Sequence, residues 1–260
     1  MIDASLTVVG SGIKFMSQLT TEAKVHIEQS SIVLYLVNEP AMKQWIQKVN
    51  PCAESLDDYY TKYKLRSDCY QAITLYILET LRKKQHVCVV LYGHPTVFAK
   101  PALDAVIQAK QEGYFARILP GISTEDCLFA DLLIDPGSKG CLSFEATDLL
   151  IHKRKLDISC HVILWQVSVV GALVHARLHD NTNGIKILLE YLNQFYKLDH
   201  QVTLYSAAQY PGFESLIQKV MLKQLPEIQI SRTSTLYIPP AQEVLSDREM
   251  LNLLGINVER

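Results

Sequence analysis

Neither sign of charge is in excess in this sequence. Its 25 basic and 27 acidic side chains leave a formal net charge of -2. A global basic field of the kind that holds nucleic acid is therefore lacking, and so is an acidic tail. No nucleic-acid partner is expected. Paired cysteines are lacking too. Cys52, Cys69, Cys88, Cys127, Cys141 and Cys160 are scattered, with no C-x-x-C pair. That excludes a disulfide framework and fits a reduced, cytoplasmic protein. The first residues, MIDASLTVVG, have no basic stretch followed by an apolar signal run. The most apolar region, from His161 to Val174, is shorter than the ~20 residues a membrane span needs, and Gln166 interrupts it. A buried strand is expected there, and no membrane partner. H-E-x-x-H, Walker A and G-x-S-x-G motifs are absent.

What is present is material for a large core. The 260 residues are 48% hydrophobic and 20% charged, as in ordinary globular proteins. The length suits two domains of ~100–150 residues each. Apolar runs at Leu6–Val9, Ile32–Val37, Val87–Tyr92 and Tyr114–Leu119 read as strands. Between them, helical spacing is expected from about Ala41 to Val49, from Arg66 to Lys84 and from Ala102 to Gln111. A first helix would be capped by Thr20 or Thr21, with Glu22 in its first turn. Short apolar strands alternating with helices predict an α/β chain with a largely parallel sheet. Beyond residue 121 the pattern continues. Strands are expected at Cys141–Glu145, Val162–Val167, Val202–Ala207 and Ser234–Ile238, and helices at Glu125–Leu133 and Ile185–Tyr196. Ser246, with Glu249 at capping-box spacing, predicts a last short helix. The expected division is 1–120 and 121–260, two lobes joined near Leu119-Pro120-Gly121.

Three loops follow strands. Gly10-Ser11-Gly12 can bring backbone N–H groups close to a ligand. It lacks the further glycine of the dinucleotide fingerprint, whose place Phe15 takes. By itself it is equally a tight turn. Tyr92-Gly93-His94-Pro95 turns at a strand's carboxyl end, where open α/β sheets place ligands; a plain strand-ending turn explains it as well. In Leu119-Pro120-Gly121-Ile122-Ser123-Thr124-Glu125, either Ser123 or Thr124 can cap the next helix. His175 and His179 stand at i, i+4 without a third metal ligand at a convincing spacing. The most unusual segment runs from Tyr59 to Tyr70. If it is helical, Tyr59, Tyr63, Arg66 and Tyr70 share one face. Such a face suits a partner surface or a catalytic one, because a guanidinium can hold an oxyanion and favour a neighbouring phenolate. An ion pair of Arg66 with Asp58 or Asp68 is the plainer alternative.

Taken in order, the motifs resemble one family along almost the whole chain. Leu6–Gly12 resembles the opening strand and loop of tetrapyrrole methylases. Tyr92–Phe98 resembles their second cofactor loop, in the form found in borosin methyltransferases, which methylate backbone amide nitrogens of peptides. Leu119–Leu128 with Ala130-Asp131, Phe144–Asp148, Trp165-Gln166-Val167, Ala207–Pro211 and Ser234–Tyr237 extend the similarity. The resemblance implies the two-lobed tetrapyrrole-methylase fold of class III methyltransferases, with S-adenosylmethionine in the interlobe cleft and no metal. It places Tyr92, His94, Val97, Ser123, Thr124, Gln166, Ala207, Ser234 and Thr235 at the cofactor. Its catalytic cluster falls on Tyr60, Arg66, Tyr70 and Tyr92, with Tyr59 a rival for the place of Tyr60. Tyr70, acidified by Arg66, is the expected base, and Tyr60 the alternative. No core peptide follows Tyr237-Ile238-Pro239-Pro240, so the expected substrate is a separate precursor peptide. A homodimer with two peptides is implied. The alternatives within the fold are corrin- or diphthine-type methyl transfer; outside catalysis, a peptide-binding scaffold.

Overall fold

The computed structural model describes residues 4–83, 85–172 and 181–256. By its contacts the described chain divides into two compact units. One comprises residues 4–134, 171–172 and 205–217; the other comprises 135–170, 181–204 and 218–256. The first division therefore falls after Ile134, beyond the expected break at Gly121. The helix that follows Gly121 reaches back, as Gln18 Nε2 donates to Cys127 Sγ at 3.3 Å.

The first unit holds a five-stranded parallel sheet. Its strands are β1 (Ser5–Gly10), β2 (Ile32–Leu36), β3 (Ala53–Ser55), β4 (His86–Leu91) and β5 (Phe115–Ile118), in the order β3-β2-β4-β1-β5. Both faces are covered, which is why the strands read as unbroken apolar runs. Leu6, Val8, Leu34, Val87 and Val89 face one core, shared with α4 (Arg66–Arg82) and α5 (Lys100–Gln111). Val9, Val33, Tyr35, Cys88 and Val90 face the other, shared with α1 (Thr21–Gln29) and α2 (Pro40–Val49). Alternate residues thus take alternate faces, as the strand period requires.

Local chemistry fixes the helix starts. Thr20 caps α1 by accepting the Ala23 N–H at 3.1 Å. Glu39 caps α2, accepting the N–H groups of Ala41 at 2.8 Å and Met42 at 2.5 Å, and Pro40 opens the helix. Between α2 and α4 lies α3 (Asp57–Lys62). The expected continuous tyrosine face is therefore broken: the chain is extended at Tyr63 and α4 begins afresh at Arg66.

In the second unit, β6 (Cys141–Glu145) runs parallel to β7 (His161–Trp165), which is antiparallel to β10 (Thr235–Ile238). The sheet order is β6-β7-β10-β8-β9, with β8 at Gln201–Ser206 and β9 at Leu216–Met221. Val162, Leu164, Leu236 and Ile238 pack with Ile185, Leu188 and Leu192 of α9 (Thr182–Leu192). The strand expected to run to Val167 stops at Trp165, because Gln166 turns left-handed at φ 56°. The last helix, α10 (Arg248–Leu253), is capped by Asp247 and not by Ser246. Two short helices, α7 (Pro136–Lys139) and α8 (Ala146–Ile151), flank β6. Among the described residues no helix is long and apolar enough to cross a membrane, and no cysteine is in a disulfide. His175 and His179 lie outside the described residues.

Candidate active site

The chain crosses from β1 to β2 over β4 and from β4 to β5 over β1, so β1 and β4 are neighbours whose connections leave in opposite directions. The carboxyl ends of such a pair form the crevice where open α/β sheets bind ligands. Three loops meet there on glycine. Gly12 and Gly93 exchange backbone hydrogen bonds of 3.3 and 3.1 Å. A Cβ on Gly10 would lie 2.1 Å from the Gly93 carbonyl oxygen, and one on Gly121 would lie 3.1 Å from the same atom. Gly12 and Gly93 also take φ values of 69° and 72°, open to glycine at little cost. Gln18 stiffens the first loop: its Oε1 accepts the N–H groups of Ile13 at 2.9 Å and Lys14 at 2.8 Å.

Several expected cofactor residues stand on these loops. Tyr92 follows β4 and is partly buried, and its hydroxyl oxygen accepts from Gln209 Nε2 at 3.4 Å. Burial pushes the Tyr92 phenol above its ordinary pKa, and the bond from Gln209 opposes that rise. His94 Nδ1 accepts the N–H of Thr96 at 3.2 Å, which ties the imidazole to its own loop, and Val97 donates its N–H to the His94 carbonyl at 3.2 Å. Ser123 is the N-cap of α6 (Thr124–Leu132). Its hydroxyl accepts the Asp126 N–H at 3.2 Å, and the Asp126 carboxylate accepts the Ser123 N–H at 2.7 Å. The capping reading of Ser123 is thus correct, and Thr124 is the first helical residue. Ala207 follows β8 and is partly buried. Gln166, Ser234 and Thr235 belong to the second unit. Gln166 ends β7, while Ser234 and Thr235 are buried at the start of β10.

The tyrosines sort into two groups. Tyr60 and Tyr70 meet edge to face, with ring centroids 6.5 Å apart. Burial holds both phenols above their ordinary pKa, and the Arg66 charge pulls both down against it. The expectation that Arg66 makes Tyr70 acidic is therefore corrected. The guanidinium acts in the anticipated direction, but desolvation outweighs it. Tyr59 belongs elsewhere. It stacks on Tyr63 at 6.3 Å and tilts against Tyr76 at 5.8 Å. Tyr76 donates to the Glu54 carboxylate, and that bond, with burial, pushes its phenol to about 12. Of the two rivals, Tyr60 is the one beside Tyr70.

Two residues of consequence escaped the sequence. Glu39 is a 3% exposed carboxylate. Gln209 lies inside a motif noted above, but nothing in its spacing marked its contact with Tyr92. The Glu39-Pro40 pair was the available signal for a helix start.

A parallel sheet with loops joined on glycine at its switch point, followed by a second mixed sheet, defines an α/β fold with a ligand crevice on its first sheet. The chain matches the family Tetrapyrrole (Corrin/Porphyrin) Methylases over residues 5–221 and belongs to it. It is 42% identical over 242 residues to the methyltransferase/ribosomally synthesized cyclic peptide gymnopeptides precursor of Gymnopus fusipes, covering 92% of this chain and 58% of that protein. It is 39% identical over 256 residues to the corresponding omphalotin A precursor of Omphalotus olearius, covering 97% and 61%. The chain thus spans about three fifths of the length of these relatives. Two solved structures share the fold. Uroporphyrin-III-C-methyltransferase from Thermus thermophilus has a TM-score of 0.66 at 17% identity, covering 92% of this chain and 93% of that one. Diphthine synthase has a TM-score of 0.65 at 15% identity, covering 91% and 90%.

Proposed function

We propose that this chain transfers a methyl group from S-adenosylmethionine to backbone amide nitrogens of a peptide. The observation that carries the reading is the meeting of Tyr60 with Tyr70 under the charge of Arg66, in a chain 39–42% identical to relatives named as methyltransferase and peptide precursor together.

The loops suit the cofactor. Gly10, Gly93 and Gly121 bring bare backbone together at the switch point, and Tyr92 and His94 flank Gly93 in the chain. Backbone N–H groups, hydroxyls and an imidazole match a ligand that carries a carboxylate, a ribose and a base. Tyr92, His94, Val97, Ser123, Thr124, Ala207, Gln166, Ser234 and Thr235 are proposed as its contacts. Ser123, occupied as a cap, would serve through its backbone. When bound, S-adenosylmethionine supplies the methyl group from its electrophilic sulfonium and leaves as S-adenosylhomocysteine.

An amide nitrogen is a poor nucleophile because its lone pair is shared with the carbonyl. Methylation becomes feasible as the N–H proton passes to the phenolate of Tyr70, the proposed base with Tyr60 the alternative, and charge collects on the carbonyl oxygen. Arg66 is proposed to hold that oxygen electrostatically. Whichever of Tyr60 and Tyr70 is not the base is kept protonated by burial and is suited to donate a hydrogen bond to it. This is oxyanion stabilisation, in which loss of one donor can cost ~100–1,000-fold in rate. Because burial raises both phenols, the base acts through its minor ionised fraction, and the rate should climb at alkaline pH. Loss of that climb in Tyr70→Phe identifies Tyr70 as the base, and loss only in Tyr60→Phe identifies Tyr60.

The acceptor is proposed as a separate precursor peptide, bound by a homodimer with two peptides; the two relatives named above carry enzyme and precursor under one name. The chain should be incubated with S-adenosylmethionine, with and without the peptide encoded beside its gene. Tandem mass spectrometry then places each added methyl. Backbone methyls on the added peptide support the reading, and methyls on the chain itself refute the separate acceptor. Cofactor binding without transfer to any peptide would leave a scaffold, and transfer to a corrin ring or to diphthine intermediates would change the substrate class. The mass in solution, by light scattering, tests the dimer.

A further inference from the structure

Four contacts converge on the segment after β8, all within the first unit. The Phe15 N–H donates to the Gln209 carbonyl at 2.8 Å. The Ala208 N–H donates to Ser215 Oγ at 3.0 Å. The Tyr210 hydroxyl donates to Glu39 Oε1. Gln209 Nε2, held among these anchors, donates to the Tyr92 hydroxyl at 3.4 Å.

Glu39 is not an ordinary surface acid. It is 3% exposed, and its two oxygens accept the Ala41 and Met42 N–H groups at the start of α2. A buried carboxylate is costly unless hydrogen bonds surround it, and here the helix N-terminus provides two of them. The third comes from Tyr210, whose ring also meets Phe15 at 6.5 Å and Phe213 at 6.2 Å. A residue of the first loop, the N-cap of α2 and the segment 207–213 are thereby tied into one block. From that block Gln209 donates a hydrogen bond to Tyr92, an expected catalytic residue.

The polarity of the last bond matters. A phenol hydroxyl has one proton and two acceptor sites. Because Gln209 donates, it fills an acceptor site on Tyr92 and leaves the phenol proton to point elsewhere. A carboxylate in the same place would accept that proton and turn it inward.

We propose that Gln209 is a positioning residue for Tyr92, directing the phenol proton toward the reacting group, and that the Glu39–Tyr210 pair holds Gln209 in register. The role rests on the methyl-transfer reading above, with Tyr92 proposed to complete the cluster of Tyr60, Arg66 and Tyr70. Gln209 itself touches no substrate in this scheme and acts through Tyr92.

A double-mutant cycle tests it on the full chain. Gln209→Leu keeps much of the side-chain volume and removes the donor. Turnover should fall ~10-fold or more with cofactor affinity unchanged, the pattern of a lost transition-state interaction. In a Tyr92→Phe background the same change should have no further effect, since interacting residues couple and independent ones add. Gln209→Glu should be impaired at neutral pH and should recover relative to the parent as the pH falls and its carboxyl regains a proton to donate. Glu39→Gln keeps an acceptor for Tyr210 and should recover most of the activity that Glu39→Ala loses. Additive losses in the cycle, or a flat ratio of Gln209→Glu to parent across pH, would overturn the proposal.

A readout independent of turnover separates the two claims. With tyrosines labelled at the ring carbon that bears the hydroxyl, the Tyr92 resonance should shift in Gln209→Leu and in Tyr210→Phe. A shift in a chain that methylates no peptide keeps the contact and refutes the methyl-transfer reading. An unmoved resonance in an active chain does the reverse.

Discussion

The glycine junction and the tyrosine cluster of the first unit solve opposite problems. At the junction, three loops approach so closely that a single added carbon on Gly10 would lie 2.1 Å from a carbonyl oxygen and 2.9 Å from Pro95 Cδ. Position there is set by backbone, and the role of side chains is to be missing. At the cluster, position is set by bulk. Rings of α3, of α4 and of Tyr63 between them separate into Tyr59–Tyr63–Tyr76 and Tyr60–Tyr70, and desolvation raises the phenols of the second pair. The junction should therefore be brittle in stability and the cluster brittle in rate.

The largest effect expected from that contrast is on stability at the junction. Gly10→Ala should cost about 3 kcal/mol or more, since overpacked backbone has no flexible atom to yield. Gly121→Ala, with its nearest contact at 3.1 Å, should cost about 1 kcal/mol. Urea unfolding of both variants measures the difference, and equal costs would break the comparison.

At the cluster, Arg66→Ala should lower turnover ~100–1,000-fold while cofactor affinity and unfolding midpoint stay near the parent. Titration calorimetry beside a methylation assay decides this. Tyr60→Phe should lower turnover more than Tyr59→Phe, because Tyr60 faces Tyr70 and Tyr59 does not.

Alkaline stability offers a smaller effect with a definite sign. Both cluster phenols have folded-state pKa values raised above the ordinary ~10. Their contribution is complete below pH ~10. It is lost as the pH climbs from there toward the folded values, because the unfolded chain ionises first. The fall in urea midpoint between about pH 9 and 11 should be shallower in Tyr60→Phe and Tyr70→Phe than in the parent. The smallest effect is expected at α6, where Ser123→Ala should cost about 1 kcal/mol of stability through the lost cap.

Much of this was legible in the chain. The runs at residues 6–9, 32–37 and 87–92 mark their strands to within a residue or so, because a strand buried on both faces leaves no room for polar interruption. The edges were less legible. β3 is three residues long, and β9 is mostly exposed, so neither makes an apolar run. The tyrosine segment misled because periodicity is silent about a break. Tyr59 and Tyr60 are adjacent in sequence, and only the extended residue at Tyr63 and the restart at Arg66 send them to different partners.

The amino-acid sequence by itself determined the order of the buried strands and longer helices, the glycines at the three loop ends and the family likeness. These are local or cumulative properties, readable without knowing what lies nearby. Tertiary structure alone decided which tyrosine faces Tyr70, which way burial moves the phenols and that Glu39 is tied through Tyr210 to Gln209 and Tyr92. Those outcomes depend on desolvation and on contacts between residues up to 171 positions apart. Both are created only when the chain has closed on itself.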